Sequence, residues 1–374
     1  MAALANCTSI PKTTFKSFME SFGIPQFTDE KKPNHLELEN IVRIENLITE
    51  RQFNAAYSMT KKFQQMYKYS EYLLWIQVLE GETLAGMEMH SEAIQIFQSV
   101  ILTAASSNDE ITSYALFFQA KSYESLGESE NALASFLDVL TRRSALPNYI
   151  SEIELPMEMA QTYASLGLQS EFNDYSNKAL AGLNQFLQSR ILSDRQKAQF
   201  FLRLGRMGPW QIRSSQYEQD FSRDQSRLML ILRSVQIEAQ PESKDASYYL
   251  LQTLKEYEQM VQQFDVPLDR EQRIQAYERR QSLGFSLLDT LLNLSEATNE
   301  NAVAGSVEYS VRSYLAEAIV RTQTLLETVM IRNPLTKESI QYRNIKKTIL
   351  TKPNLFFSDE VKRNISNPKK DPNL

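Results

Sequence analysis

Cys7, His35 and His90 are the chain's entire stock of thiol and imidazole groups, one cysteine and two histidines in 374 residues. A single cysteine excludes an internal disulfide and a thiolate zinc cluster, and two histidines one hairpin apart are too few for most histidine metal sites. Both histidines fall near expected helix ends, where capping or exposure accounts for them, and neither has a catalytic companion. Carboxylates are plentiful, but the pairs Glu37/Glu39 and Glu128/Glu130 stand on helices or turns without an enclosing pocket, so a glycosidase-type acid and base are unsupported. The sequence holds no glycine loop that would cradle phosphate and no glycine-flanked serine at a nucleophile elbow. The chain is therefore expected to be non-enzymatic, with neither cofactor nor metal. A hydrolase in the C-terminal half ranks last among its readings.

Such a chain works by what its surfaces hold, so the elements that build those surfaces matter most. Its 374 residues, 42% hydrophobic and 23% charged, suffice for two ordinary domains or one extended array. Only 10 Gly and 12 Pro interrupt it, which favours long helices with few breaks. A net charge of −6 and a pI near 5.3 argue against a general nucleic-acid binder, because phosphate needs a net positive face. No stretch approaches the roughly 18 consecutive apolar residues of a spanning helix; Leu287–Leu294 is short and interrupted.

From His35 onward the apolar period is helical, and one helix-pair pattern recurs at a little under forty residues. Second helices carry Ala56, Ala93 and Ala132 at the repeating small position, with Phe172 at the fourth equivalent place. First helices carry Ile44, Gly81, Ala120 and Ala160, each followed one turn later by Leu47, Leu84, Tyr123 or Tyr163. One turn after the second-helix position come Thr60, Phe97, Phe136 and Ser176. This is a packing code: small residues let antiparallel helices approach, and large apolar ones a turn away fill the space beside them. Gly127 in SLGESENA and Gly167 in SLGLQSEF stand where a helix ends and needs a left-handed residue.

On these residues, most clearly in Ala115–Leu140 and Trp75–Leu102, the chain resembles the tetratricopeptide repeat family. The resemblance spans roughly residues 36–185, although the usual repeat of about 34 residues is shorter. Only Pro147 stands near the place of the family's closing proline, so a related helical-hairpin repeat stays open. The resemblance implies an all-α, right-handed solenoid of hairpins whose groove, lined by first helices, receives a peptide or a partner helix. Candidate groove residues are Arg43, Gln77, Phe117 and Gln161, with an ordinary solvated or helix-contacting face as the competing reading. The Lys, Asn and Arg clamp with which some family members hold a C-terminal carboxylate is not presented here, so the chaperone-tail function is not carried over.

The expected organisation is a tether or cap at 1–34, hairpin repeats at 35–185, a C-terminal helical array or bundle at 186–336, and a basic, proline-broken tail at 337–374. In the third segment Leu228, Ile231, Leu232 and Val235 share a helical face, as do Leu250, Leu254, Tyr257, Val261 and Phe264. Core packing is the expected use of these stripes, and contact with a second chain the alternative. The stretch Arg203–Trp210, with two glycines and a proline, is a candidate break or kink. Basic residues of the tail, from Lys346 to Lys370, suit an acidic partner, an anionic bilayer or a wall polymer, or simply a solvated tail.

Leu4-Ala5-Asn6-Cys7 resembles the end of a bacterial lipoprotein signal, with Asn6 where a smaller residue is usual and no apolar run before it. Lipidation at Cys7 requires that the signal begin upstream of Met1, and the competing reading is an unmodified exposed cysteine. Lipidated, the chain resembles tetratricopeptide lipoproteins of envelope assembly, secretion or motility machines, in the periplasm or at the outer membrane. Unmodified, it reads as a cytosolic regulator or chaperone-like adaptor. The sequence leaves the partner and the oligomeric state open.

Overall fold

A computed structural model describes residues 35–104, 108–189, 191–207, 221–262 and 270–332. Within them every regular element is helical. The chain forms two compact units that meet in sequence at Ile191 and Leu192.

The first unit is an all-α array of antiparallel helix hairpins. Its helices are α1 (His35–Thr49), α2 (Phe53–Met66), α3 (Leu73–Gly86), α4 (His90–Ala104), α5 (Asp109–Ser125), α6 (Ser129–Thr141), α7 (Leu155–Ser165) and α8 (Gln169–Phe186). They pair in order, and the first helices also touch one another, α1 with α3, α3 with α5 and α5 with α7. First helices therefore form a layer of their own. A π-helical turn, Ile150–Glu154, leads into α7 and packs on α8.

Local signals set the ends of these helices. The Asn108 side chain accepts a hydrogen bond from the Ile111 amide at 3.0 Å, and Asp109 and Glu110 place negative charge in the first turn of α5. Gly127 (φ 78°) and Gly167 (φ 75°) are left-handed. The following amides, of Glu128 and Leu168, reach back to the Tyr123 and Tyr163 carbonyls at 2.9 Å. This is the paired closing bond of a glycine-terminated helix.

The expected packing code is visible in the burial. Ala56, Ala93 and Ala132 are fully buried, as are Ile44, Ala120 and Ala160. A Cβ added at Gly81 would collide with the Phe97 ring, so α3 and α4 cross at the distance glycine permits. Gly182 of α8 makes the same kind of approach to the Glu152 carbonyl in the π-helical turn.

The second unit gathers α9 (Asp194–Arg206), α10 (Gln225–Gln236), α11 (Glu242–Gln262), α12 (Arg270–Ala297) and α13 (Val307–Arg332) around one apolar core. The Leu228–Val235 stripe, the Leu250–Val261 stripe and Leu287, Leu291 and Leu294 are all inside it. Gly205 lies within α9, packed against Ile231 and the Arg227 carbonyl, and α9 ends one residue later at Arg206 with Met207 extended, inside the stretch expected to break or kink. Residues 208–210 of that stretch lie outside the described residues. Polar anchors join the layers. Tyr257 donates to Asp224 at 2.5 Å and stacks on Phe221, and Glu258 of α11 receives Tyr314 and Arg321 of α13. No described helix is long and apolar enough to cross a membrane. Cys7, the segment 1–34, Phe264 and the tail 337–374 lie outside the described residues.

Candidate functional site

Where the first helices of the first unit line up, they enclose a recess of about 210 Å³. Each successive hairpin contributes to it: Glu45 and Ile48 from α1, Trp75, Leu79 and Glu82 from α3, Tyr114, Phe118 and Lys121 from α5, and Tyr149 and Glu154 at the fourth hairpin. The π-helical turn widens the backbone where the last two enter. Such turns are short insertions that re-aim side chains, and they are frequent at functional sites.

The floor and walls are aromatic. Trp75 meets Tyr114 edge-on at 4.9 Å, and Tyr114 stacks near Phe118 at 6.3 Å. Trp75 and Tyr114 are buried, whereas Phe118 and Tyr149 are half-buried. The polar groups are mainly acidic. The indole Nε1 of Trp75 donates to Glu45 Oε1 at 3.1 Å, while the other oxygen of that carboxyl is buried without a hydrogen-bond partner. Burial drives the Glu45 carboxyl up to about 8; the Trp75 hydrogen bond pulls it down and the nearby Glu82 pushes it up further. Glu82 is driven up to about 7 by burial, with Lys121 lowering it and Glu154 raising it. The phenols of Tyr114 and Tyr149 are raised as well, by burial first and then by neighbouring ionisable groups.

Lys121 is the cation of the lining. Its ammonium pairs with Glu158 of α7 at 3.3 Å and lies 5.3 Å and 5.8 Å from the ring centres of Phe117 and Phe118. Lys121 is thus divided between the recess and a buried carboxylate outside it. Among the described residues, no group of three or more His, Cys, Asp or Glu side chains converges as a metal site. The glutamates of the recess are spread along its wall.

The four groove residues expected from sequence are dispersed relative to this recess. Phe117 belongs to its lining but is fully buried, edge-on to Phe136 of α6, and acts as floor. Arg43 and Gln161 are exposed and Gln77 is half-buried, and none of these three lines the recess. Glu45, Glu82 and Lys121 escaped the sequence reading. They follow directly on Ile44, Gly81 and Ala120, the repeating small positions of the first helices. A charge recurring beside the packing position was the signal available.

No family model and no curated protein matches the chain. Among solved structures, it is similar to a tetratricopeptide repeat protein from Parabacteroides merdae, at 14% identity and a TM-score of 0.33, over 84% of this chain and 100% of that one.

Proposed function

We propose that the protein is a non-enzymatic scaffold whose first unit receives a peptide or a partner helix along its layer of first helices. The recess carries this reading: a concave, aromatic-walled site built by four consecutive hairpins is suited to grip one side chain of a longer ligand. Its 210 Å³ is below the roughly 300–1,000 Å³ typical of pockets for drug-sized ligands and cofactors. Arg43, Gln77 and Gln161, on the same first helices, are the proposed flanking contacts, with Phe117 supporting the floor.

A photo-crosslinking side chain at Thr49, an exposed residue of the recess, tests the reading in the native cell. The control places it at Leu102, exposed on the second helix α4. Polypeptide adducts of defined mass from position 49, absent from position 102, are expected. Equal labelling at both positions, or none, would remove the scaffold reading.

We also propose a lipid anchor at Cys7, which would make the scaffold a component of a bacterial envelope assembly, secretion or motility machine. Leu4-Ala5-Asn6-Cys7 supports this. Mass spectrometry of the natively expressed protein decides it. An acylated N-terminal cysteine supports the envelope role, and an unmodified thiol on an uncleaved chain leaves the cytosolic adaptor.

A further inference from the structure

We propose that the recess accepts the cationic end of a lysine or arginine side chain projecting from a bound polypeptide. The inference rests on the scaffold reading and names the chemistry of its central subsite.

Charge complementarity is the first argument. Three glutamates, Glu45, Glu82 and Glu154, face the recess, against Lys121, whose ammonium is also committed to Glu158. Ionising a carboxyl in such surroundings is costly, and a cation brought beside Glu45 and Glu82 offsets that cost. Once Glu45 is ionised, its oxygen left without a hydrogen bond is an acceptor that a cationic N–H donor can meet.

The walls give the second argument. Tyr149 and Phe118 border the same space, and an ammonium or guanidinium near aromatic faces gains additional electrostatic attraction. The shape also favours an organic cation. The carboxylates do not gather around one point as a metal ion would need, but they can meet the several N–H donors at the end of a long side chain.

A proton linkage follows from the environment of the glutamates. With Glu45 raised to about 8 and Glu82 to about 7, both are largely protonated near pH 6 and ionised near pH 9. Lys121, Tyr114, Tyr149 and Glu154 are the other titratable groups facing them. A cation binds the ionised forms, so binding releases protons and tightens as pH rises across this range. A lysine side chain keeps its charge there, since its ordinary pKa is about 10.4.

The test uses the full chain and a short acetylated, amidated glycine peptide carrying one central lysine or arginine. The same peptide with norleucine or citrulline, and free butylammonium, complete the set. Binding is followed by isothermal titration at pH 6 and pH 9 in two buffers of different ionisation enthalpy. The lysine and arginine peptides are expected to bind more tightly at pH 9, with proton release, and the neutral peptides at least about tenfold more weakly. Glu45→Gln with Glu82→Gln should abolish the preference, and Glu39→Gln, on the exposed face of α1, should keep it. Circular dichroism melting confirms that the variants fold.

Equal binding of lysine and norleucine peptides overturns the cation proposal and leaves the groove intact. Butylammonium binding as tightly as the lysine peptide reassigns the recess to a free amine and also overturns it. Failure of every cationic probe at millimolar concentration overturns it too. Crosslinking from Thr49 reports separately on the scaffold reading, so the two failures are distinguishable.

Discussion

Arg51 and Glu88 hold left-handed backbone, φ 59° and 64°, at the turns where Gly127 and Gly167 close the next two hairpins. The closing hydrogen bonds match: the Gln52 and Met89 amides reach the Leu47 and Leu84 carbonyls at 2.8 and 2.9 Å. An L side chain in this conformation costs roughly 1–2 kcal/mol, part of which glycine returns in lost chain entropy. Glu88→Gly should therefore stabilise the first unit by about 0.5–1 kcal/mol. Gly127→Ala should destabilise it by about 1 kcal/mol. Urea midpoints of the two variants, shifted in opposite directions, would bear this out, and shifts of the same sign would contradict it. This contrast also explains what could be read in advance. Gly127 and Gly167 announced their turns because glycine is the usual solution, while Arg51 and Glu88 carried no such mark. Glu45 and Glu82 were equally inconspicuous, two acidic residues among 46. Only the way neighbouring first helices cross turns that helix face into a recess.

At the scale of elements, the small-residue code was legible because it is local and periodic: Ala56, Ala93, Ala120 and Ala132 are buried where the repeat requires. The polar joints between helices were not, because they link residues far apart in sequence. Glu258 of α11 is the clearest case. It is buried, receives Tyr314 at 2.6 Å, and takes two bonds from the Arg321 guanidinium at 2.9 and 3.0 Å. The Arg321 charge is stabilised chiefly by that hydrogen bonding, and Tyr314 is held protonated by burial and by Glu258. Removing one partner of a buried pair leaves an uncompensated charge, which costs more than the pair itself contributes. Arg321→Met is expected to destabilise the second unit by about 3 kcal/mol, at the low end for buried pairs because Arg321 is partly exposed. Glu258→Gln on that background should restore much of the loss. A double-mutant cycle by urea denaturation measures the coupling, and additive effects would show that the two side chains do not act as a unit.

For the molecule as a whole, the recess ties stability to pH, and on the proposal made above it would tie stability to a bound cation as well. Glu45 and Glu82 bind their protons more tightly in the folded chain, with pKa values near 8 and 7, than at their ordinary value of 4.5. The stability this confers is complete below about 4.5 and declines as pH rises through 7 and 8, because ionising them in place costs more than ionising them in the unfolded chain. Solvent access through the open side reduces the full linkage figure, leaving a loss of about 1–2 kcal/mol between pH 5 and pH 9. Glu45→Gln with Glu82→Gln removes both titrations, so the double variant should lose less stability over that interval and be the more stable protein at pH 9. Thermal melts of both proteins at the two pH values supply the comparison, and parallel pH profiles would show that these carboxyls titrate alike in folded and unfolded chains. A saturating lysine peptide should restore the wild type at pH 9 and leave the double variant unchanged, because only the wild type keeps the anions that the cation neutralises.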